Sequence, residues 1–259
     1  MKQIATAIGG WVRNALIFFA VSTIMAVLLL KFMPVYFTPL MFIRCVEQVG
    51  HGHLPHISHS WVPIDSISRH VPQAVMASED NLFLKHNGFD FEQIYKARLE
   101  AMKGGRERGA STISQQTAKN VFLWPGHNWL RKGLEAYFTL LIEKVWGKKR
   151  IMEVYLNSIE MGDGIYGIEA VARLNFGKHA SQLSKRQAAL VAVTLPNPLK
   201  RDSAHPTPYL IKRRDQVVTL MDKIERFDKP EAQTDTKKSP VVDEKIIQEE
   251  EKKTLNRTL

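Results

Sequence analysis

Along most of this chain, apolar positions recur with the three-to-four-residue spacing of helices, and few runs show the alternation of strands. Ala15 to Leu30 runs sixteen residues without a charge and continues past Lys31 into Phe32, Met33 and Val35. With Trp11 and Val12 ahead of Arg13, the segment is long enough to cross a bilayer core of about 30 Å if Lys31 reaches to the interface. The pattern therefore predicts one transmembrane helix. No small-x-small pattern follows Leu30, which argues against a cleaved leader. Phe32 to Ile43 holds Tyr36 and Phe37 among apolar residues, and Pro34 and Pro39 break any helix there. It reads as a segment at the membrane surface, keeping the next domain close to the bilayer. Residues 46–68, rich in His, Pro and Ser, read as an irregular lead-in containing Trp61.

Helical patterns then dominate. The spacing predicts helices over Arg69 to Lys85, Phe91 to Lys103, Thr112 to Asn120, Leu130 to Val145, Lys149 to Asn157 and Ile165 to Leu174. Ser184 with Gln187 forms a capping box that opens an apolar helix over Ala188 to Leu195, stopped by Pro196 and Pro198. Tyr209 to Phe227 is the last helix. Gly104 to Gly109 carries three glycines around Arg106, Glu107 and Arg108 and reads as a mobile loop. From Asp228 the chain is mostly charged and polar without aromatic residues, and reads as a disordered tail.

Composition adds a sign to this outline. The net charge of +10, from 36 Lys and Arg against 26 Asp and Glu, favours negatively charged partners: nucleic acid, anionic lipid or a phosphorylated substrate. The single cysteine, Cys45, allows no internal disulfide and offers no metal-binding spacing. The near flanks of the apolar segment carry Lys2 and Arg13 on one side and Lys31 and Arg44 on the other, so the positive-inside count is close to a tie.

Three clusters could carry chemistry. On the helix expected from Arg69, Val75, Glu79, Leu82 and Phe83 share one face, which places an acid on an apolar stripe. Enclosure disfavours the ionised carboxylate and raises its pKa, as a general acid or base at neutral pH requires; a glutamate at a helix edge reaching water would show the same spacing. The second cluster follows the glycine-rich loop. Thr112, Gln115, Gln116 and Lys119 gather on one side of a helix N-terminus, an arrangement suited to an anion such as phosphate, although a solvated face would contain the same residues. In the third, Arg131 and Glu135 lie one helical turn apart and can pair. Glu135 sits between Leu134 and Phe138, so it too can be enclosed; a surface ion pair worth about 0–1 kcal/mol is the plainer account. Two semi-enclosed glutamates with basic residues between them suggest acid/base work on a sugar or phosphate.

In order and spacing these segments resemble the peptidoglycan glycosyltransferases of family 51. The motifs are Glu79-Asp80-Asn81-Leu82-Phe83-Leu84-Lys85-His86-Asn87-Gly88, then Gly109 to Gln116 with Lys119-Asn120, then Arg131-Lys132-Gly133-Leu134-Glu135. Ile151 to Asn157, Gly164 to Ala170 with Phe176-Gly177-Lys178, and Ala188 to Pro198 continue the series. The resemblance runs from about Pro39 to Met221. With no transpeptidase domain following, the chain looks like the monofunctional group of that family. It implies a mainly α fold: a lysozyme-like transglycosylase domain with a small membrane-facing lobe, preceded by one transmembrane helix. The expected boundaries are 1–36 for a cytoplasmic stub and anchor, 37–227 for the glycosyltransferase domain, and 228–259 for the charged tail.

The resemblance also implies roles. Glu79 matches the base that takes the proton from the acceptor sugar's 4-hydroxyl, and Glu135 the second essential glutamate on the donor side. Lys119 and Arg131 match the cations holding the donor pyrophosphate. Ser111, Thr112, Gln115 and Gln116 match its polar lining, and Asp80, Phe83, His86 and Asn120 match positions that shape or brace the site. The implied substrates are lipid II and the growing glycan strand, with undecaprenyl pyrophosphate leaving and a β-1,4 bond forming by inversion. A divalent cation, Mg or Mn, is expected near Glu135, with no organic cofactor. The implied setting is the inner membrane, crossed once, with the N-terminus cytoplasmic and the catalytic domain periplasmic. The bilayer and cell-wall synthesis or division proteins are the further expected partners; nucleic acid is not.

The chain departs from the family pattern in places. His127-Asn128 stands where many members carry Arg followed by Ser, which would make a phosphate contact weaker and pH-dependent. Asn175 replaces the Tyr of Tyr-Phe-Gly-Lys. Glu153 is assigned to structure, Trp124 and Trp129 to packing or an interface, and His51, His53, His56 and His59 to a loop, since they lack ligand spacing.

Overall fold

The computed structural model describes residues 2–104, 109–126 and 128–227, excepting the side chains of residues 2–8. Most of the glycine-rich loop (105–108), His127 and the tail from Asp228 lie outside the described residues. The fold is mainly helical, as expected. Helix α1 (Lys2–Phe32) is followed by α2 (Pro39–Gly50), α3 (His70–Glu79), α4 (Phe91–Met102), α5 (Ile113–Phe122), α6 (Trp129–Val145) and α7 (Gly147–Ser158). Then come α8 (Ile168–Phe176), α9 (Lys185–Ala192) and α10 (Pro208–Met221). Three short strands, β1 (Ser58–His59), β2 (Glu160–Gly162) and β3 (Ile165–Tyr166), form a sheet in the order β1-β3-β2, with β1 parallel and β2 antiparallel to β3.

Gly9–Phe32 within α1 is long and apolar enough to cross a bilayer. Its C-terminal half packs on α6, and Val27 is fully buried. The fastening is polar as well as apolar. Thr23 Oγ1 and Tyr137 Oη lie 2.8 Å apart, Trp146 Nε1 donates to the Val27 carbonyl at 2.7 Å, and Arg150 donates to the carbonyls of Leu30 and Met33. The last carbonyls of a helix have no partner within it, and a cation there also meets the negative end of the dipole. Arg150 supplies both.

Several boundaries differ from those read in the sequence. Pro39 starts α2 instead of breaking a helix. It occupies the first turn, where its missing N–H costs nothing, and Thr38 caps that end by accepting from Met41 N. Part of the supposed irregular lead-in is therefore helical. Ile165 and Tyr166 belong to β3, and α8 starts only after Gly167. That glycine has φ +80°, and a Cβ there would lie 2.7 Å from the Asn157 carbonyl oxygen. The last helix stops at Met221. The Ser184–Gln187 capping box is present, but α9 runs from Lys185 to Ala192, one turn earlier than its apolar run suggested.

The core lies where α3 packs on α9 and α10, and where α5 packs on α6 and α7. Phe83, Ile113, Ile142, Ile151, Met152, Tyr155 and Leu156 are fully buried there. Phe122 and Phe138 stack with ring centres 4.4 Å apart. The Tyr-Leu-Asn helix serves as a clamp: Asn157 donates to Val62 O and accepts from Val62 N, each at 2.9 Å, and Glu153 accepts from Ile64 N. Glu153 is thus structural, holding the segment before α3 to α7.

Candidate active site

The helix carrying Glu79 ends on it. Asp80 leaves helical conformation, with φ −159° and ψ 79°, because its carboxylate is anchored elsewhere. It accepts from Ile113 N at 2.9 Å, and His86 Nε2 lies 2.9 and 3.0 Å from its two oxygens. Leu82 and Phe83 accordingly lie in a turn, not on the apolar stripe of α3. Glu79 is enclosed by the end of its helix, half-buried against α5 and α9.

Its partners set its proton affinity. Gln116 Nε2 donates to Glu79 Oε2 at 3.2 Å, and Ser78 Oγ lies 3.4 Å from Oε1. Burial pushes the Glu79 carboxyl above its ordinary value, opposed by those two bonds and by the charges of Arg201 and Arg213. Gln116 is oriented from its other end, where its Oε1 accepts from Tyr155 Oη at 3.1 Å. Burial raises the Tyr155 hydroxyl well above its usual value, so it stays a neutral donor.

The residues before and at the start of α5 divide between structure and site. Thr112 and Gln115 form a reciprocal capping box, and Thr112 Oγ1 also donates to Gly88 O at 2.6 Å. The anion expected at this helix N-terminus is supplied from within, by Asp80 on the Ile113 amide. Phe83 is fully buried, and His86 is held by Asp80 and meets the Phe83 ring edge-on. These side chains spend their bonds inside the fold and brace the loop after Glu79. Ser111 is exposed, and Asn120 is buried on α5.

Glu135 lies on the first turns of α6 with 3% of its surface exposed. Arg131 Nη1 donates to one of its oxygens at 2.8 Å and Lys132 Nζ to the other. Asn128 caps this helix by accepting from Arg131 N at 2.7 Å. Lys119, on the facing surface of α5, lies within the field of Glu135, Arg131 and Lys132; burial lowers its pKa, and Glu135 opposes that shift. Arg131 is only 6% exposed, and its Nε is buried without a hydrogen-bond partner. A buried donor left unpaired costs about 1–3 kcal/mol, so it marks a place where an acceptor from outside the protein would be favourable. One face of helix α5 therefore serves both glutamates, touching Glu79 through Gln116 and facing Glu135 with Lys119 one turn further on.

This donor set does not fit a protein-held divalent cation. Both Glu135 oxygens are engaged by cationic side chains, and no three His, Cys, Asp or Glu residues converge among the described residues.

A cleft of about 460 Å³ opens at Ser78, the neighbour of Glu79, lined also by Val193, Arg201, Tyr209, Lys212 and Arg213, and the charges of Arg201 and Arg213 reach Glu79. Arg201 is fixed by donating to Val193 O at 2.9 Å and lies 5.8 Å from the centre of the Tyr209 ring. The sequence reading missed these cations. Their signal was the basic run Lys212-Arg213-Arg214 and the Lys200-Arg201 pair just beyond Pro198. Asn175 donates to Ser203 Oγ at 2.8 Å and so ties α8 to the loop bearing Arg201. His59 binds the Asn157 carbonyl, and Trp129 is 92% exposed at the start of α6.

Residues 47–222 match the family described as Transglycosylase. The chain is similar to a biosynthetic peptidoglycan transglycosylase of Bacteroides thetaiotaomicron, 59% identical over 217 residues that cover 84% of this chain and 88% of that protein. Proteins of the same description from Caulobacter vibrioides (53% over 194 residues, covering 75% of this chain and 82% of that protein) and Bdellovibrio bacteriovorus (49% over 208 residues, covering 80% and 83%) are also similar. The chain belongs to the transglycosylase family, and its helical domain is lysozyme-like.

Proposed function

We propose that this peptidoglycan glycosyltransferase joins lipid II units into β-1,4 glycan strands by a single inverting displacement, with Glu79 as the base. The carrying observation is the pair of enclosed glutamates served by one face of α5, one hydrogen-bonded by the neutral donors Gln116 and Ser78 and the other by the cations Arg131 and Lys132. The acceptor's 4-hydroxyl oxygen attacks the anomeric carbon of the donor sugar, and its proton passes to Glu79. The bond from that carbon to phosphate breaks, and undecaprenyl pyrophosphate leaves with the electron pair. Burial keeps Glu79 basic enough to take the proton. Lys119 and Arg131 face the leaving group's growing charge, and the unpartnered Nε of Arg131 is a donor ready for a phosphate oxygen. Glu135 holds Arg131 and Lys132 in place. A divalent cation bound together with the substrate would supply charge neutralisation at the leaving group; the chain's own charges there are those of Lys119, Arg131 and Lys132, with Glu135 already engaged. The basic cleft with Arg201 and Arg213 lies on the acceptor side, beside Glu79.

The membrane setting belongs to the same reading. Helix α1 is a single-pass anchor in the inner membrane, with the N-terminus cytoplasmic and the domain periplasmic. Phe42, Val46 and Val49 form an exposed stripe on α2, and Phe32 and Phe37 precede them; Phe42 is 72% exposed. An apolar stripe of this kind directly after an anchor suits the lipid interface. There the substrate's prenyl tail stays in the bilayer while its phosphates reach the cations.

The test is incubation of purified protein with lipid II and a divalent cation, with products resolved by length. Long strands from the native protein and none from a folded Glu79→Gln variant are expected. Shortened peptidoglycan in place of elongation, or substantial polymerisation by Glu79→Gln, would overturn the assignment.

A further inference from the structure

Glycosyl transfer as described makes no use of Glu143 and Lys148, at the end of α6 and the start of α7. Both side chains are nonetheless largely enclosed, with 7% and 17% of their surface exposed, and Lys148 Nζ donates to Glu143 Oε1 at 2.6 Å. The fully buried Ser114 donates its hydroxyl to the same oxygen. The Lys148 ammonium lies 4.6 Å from the centre of the Phe83 ring, and the negative field of Asp80 also reaches it. A buried ion pair often contributes no more to stability than an apolar pair of equal volume, and its best-attested return is in specifying a unique arrangement.

What this pair touches is the loop after Glu79. Phe83, beneath Lys148, meets His86 edge-on; His86 holds Asp80; and Asp80 directs the chain out of α3 immediately after Glu79. Further along the same loop, Gly88 has φ +94°, and a Cβ there would lie 2.7 Å from Thr139 Cγ2 and 3.1 Å from Glu143 Cγ. Glu143 and Thr139 stand on α6, the helix that carries Glu135 and Arg131. Eight residues, about 12 Å of helix, separate Glu135 from Glu143. One rigid helix thus carries the donor-side residues at one end and the seat of the Glu79 loop at the other.

We propose that Lys148, with Glu143, is a positioning pair that sets Glu79 relative to the donor site by pressing on Phe83 and the Asp80–His86 turn. This rests on Glu79 acting as the base. The pair touches no reacting atom, so its loss displaces the base while leaving the phosphate cations in place.

The test uses the full chain in detergent with lipid II. Lys148→Met keeps the hydrophobic stem and removes the charge. The expected result is kcat per folded molecule reduced roughly ten- to a hundred-fold, the scale of small misplacements of a reacting group, with KM nearly unchanged. Lys148→Arg, which can still pair with Glu143 and lie over Phe83, restores much of kcat. Glu143→Gln lowers kcat in the same direction, and combining it with Lys148→Met adds little, as for two members of one contact. A native kcat in Lys148→Met, a change confined to KM, or a loss matching the unfolded fraction would each overturn the proposal. So would an arginine variant as impaired as the methionine one. Glu79→Gln run alongside separates the failures: if it is silent while Lys148→Met is fully active, only the positioning role falls; if it remains active, the assignment of the base falls too.

Discussion

Replacing Gln116 by Met keeps the length of the side chain and removes the amide that donates to Glu79 at 3.2 Å. Hydrogen bonds to a charged acceptor contribute about 1.5–3 kcal/mol. Because Glu79 is half-buried and keeps some access to water, the lower end applies. About 1.4 kcal/mol is a tenfold change in the proton equilibrium. The lost bond favours the ionised carboxylate, so its removal raises the Glu79 pKa further above the ordinary range and moves the acidic limb of the pH–rate profile toward alkaline pH. Initial rates of lipid II polymerisation at low substrate, measured across pH, should fall about tenfold on the acidic side and converge with the native enzyme on the plateau. The substitution also strips Tyr155 Oη of its acceptor. Gln116→Met combined with Tyr155→Phe removes that orphan and should show the same displaced limb with better stability. An unmoved limb, or one moved to more acidic pH, would refute the account of how Glu79 is tuned.

Glu79→Gln should stabilise the fold at neutral pH. A carboxyl whose pKa is raised on folding contributes stability that is complete below its unfolded value and is lost as pH rises through the folded one, whereas Gln has no charge to bury. The melting temperature should therefore exceed the native one near neutrality by about 2–4 °C per kcal/mol, with the gap closing toward acidic pH; a gap that widens there would contradict it. Gly88→Ala should cost about 1–3 kcal/mol from its positive φ, before counting the approach to Thr139, and denaturant titration checks this. Lys119→Ala and Arg131→Ala should chiefly weaken donor binding; unchanged donor titration curves for both would contradict the phosphate assignment.

The parts of the site legible in the sequence are those whose chemistry is written in residue type at helical spacing. Arg131 and Glu135, one turn apart, pair as their spacing implies, and Gln116 and Lys119 share a face of α5. What spacing could not show is where one residue's long-range bond overrides local propensity. Asp80 breaks α3 because an amide 33 residues away and a histidine six residues on hold its carboxylate. The same bond fills the helix N-terminus that looked ready for phosphate. Thr112 and Gln115, polar residues beside a glycine-rich loop, read equally well as ligand contacts and as a cap, and the fold uses them as a cap. Arg201 and Arg213 sit far along the chain from Glu79. They reach it only because α3 packs on α9 and α10, information held in tertiary packing and absent from any local window.

The bonds that fasten α1 to the domain have a consequence for how its sequence can vary. Trp146 and Arg150 grip main-chain carbonyls of Val27, Leu30 and Met33, atoms that every residue type supplies. Most outward side chains of the span can therefore be exchanged for other apolar ones without touching those bonds. Inserting or deleting a single residue between Thr23 and Met33 turns the helix by about 100° and presents different carbonyls to the same two donors. The mooring is thus tolerant of spelling and strict about length.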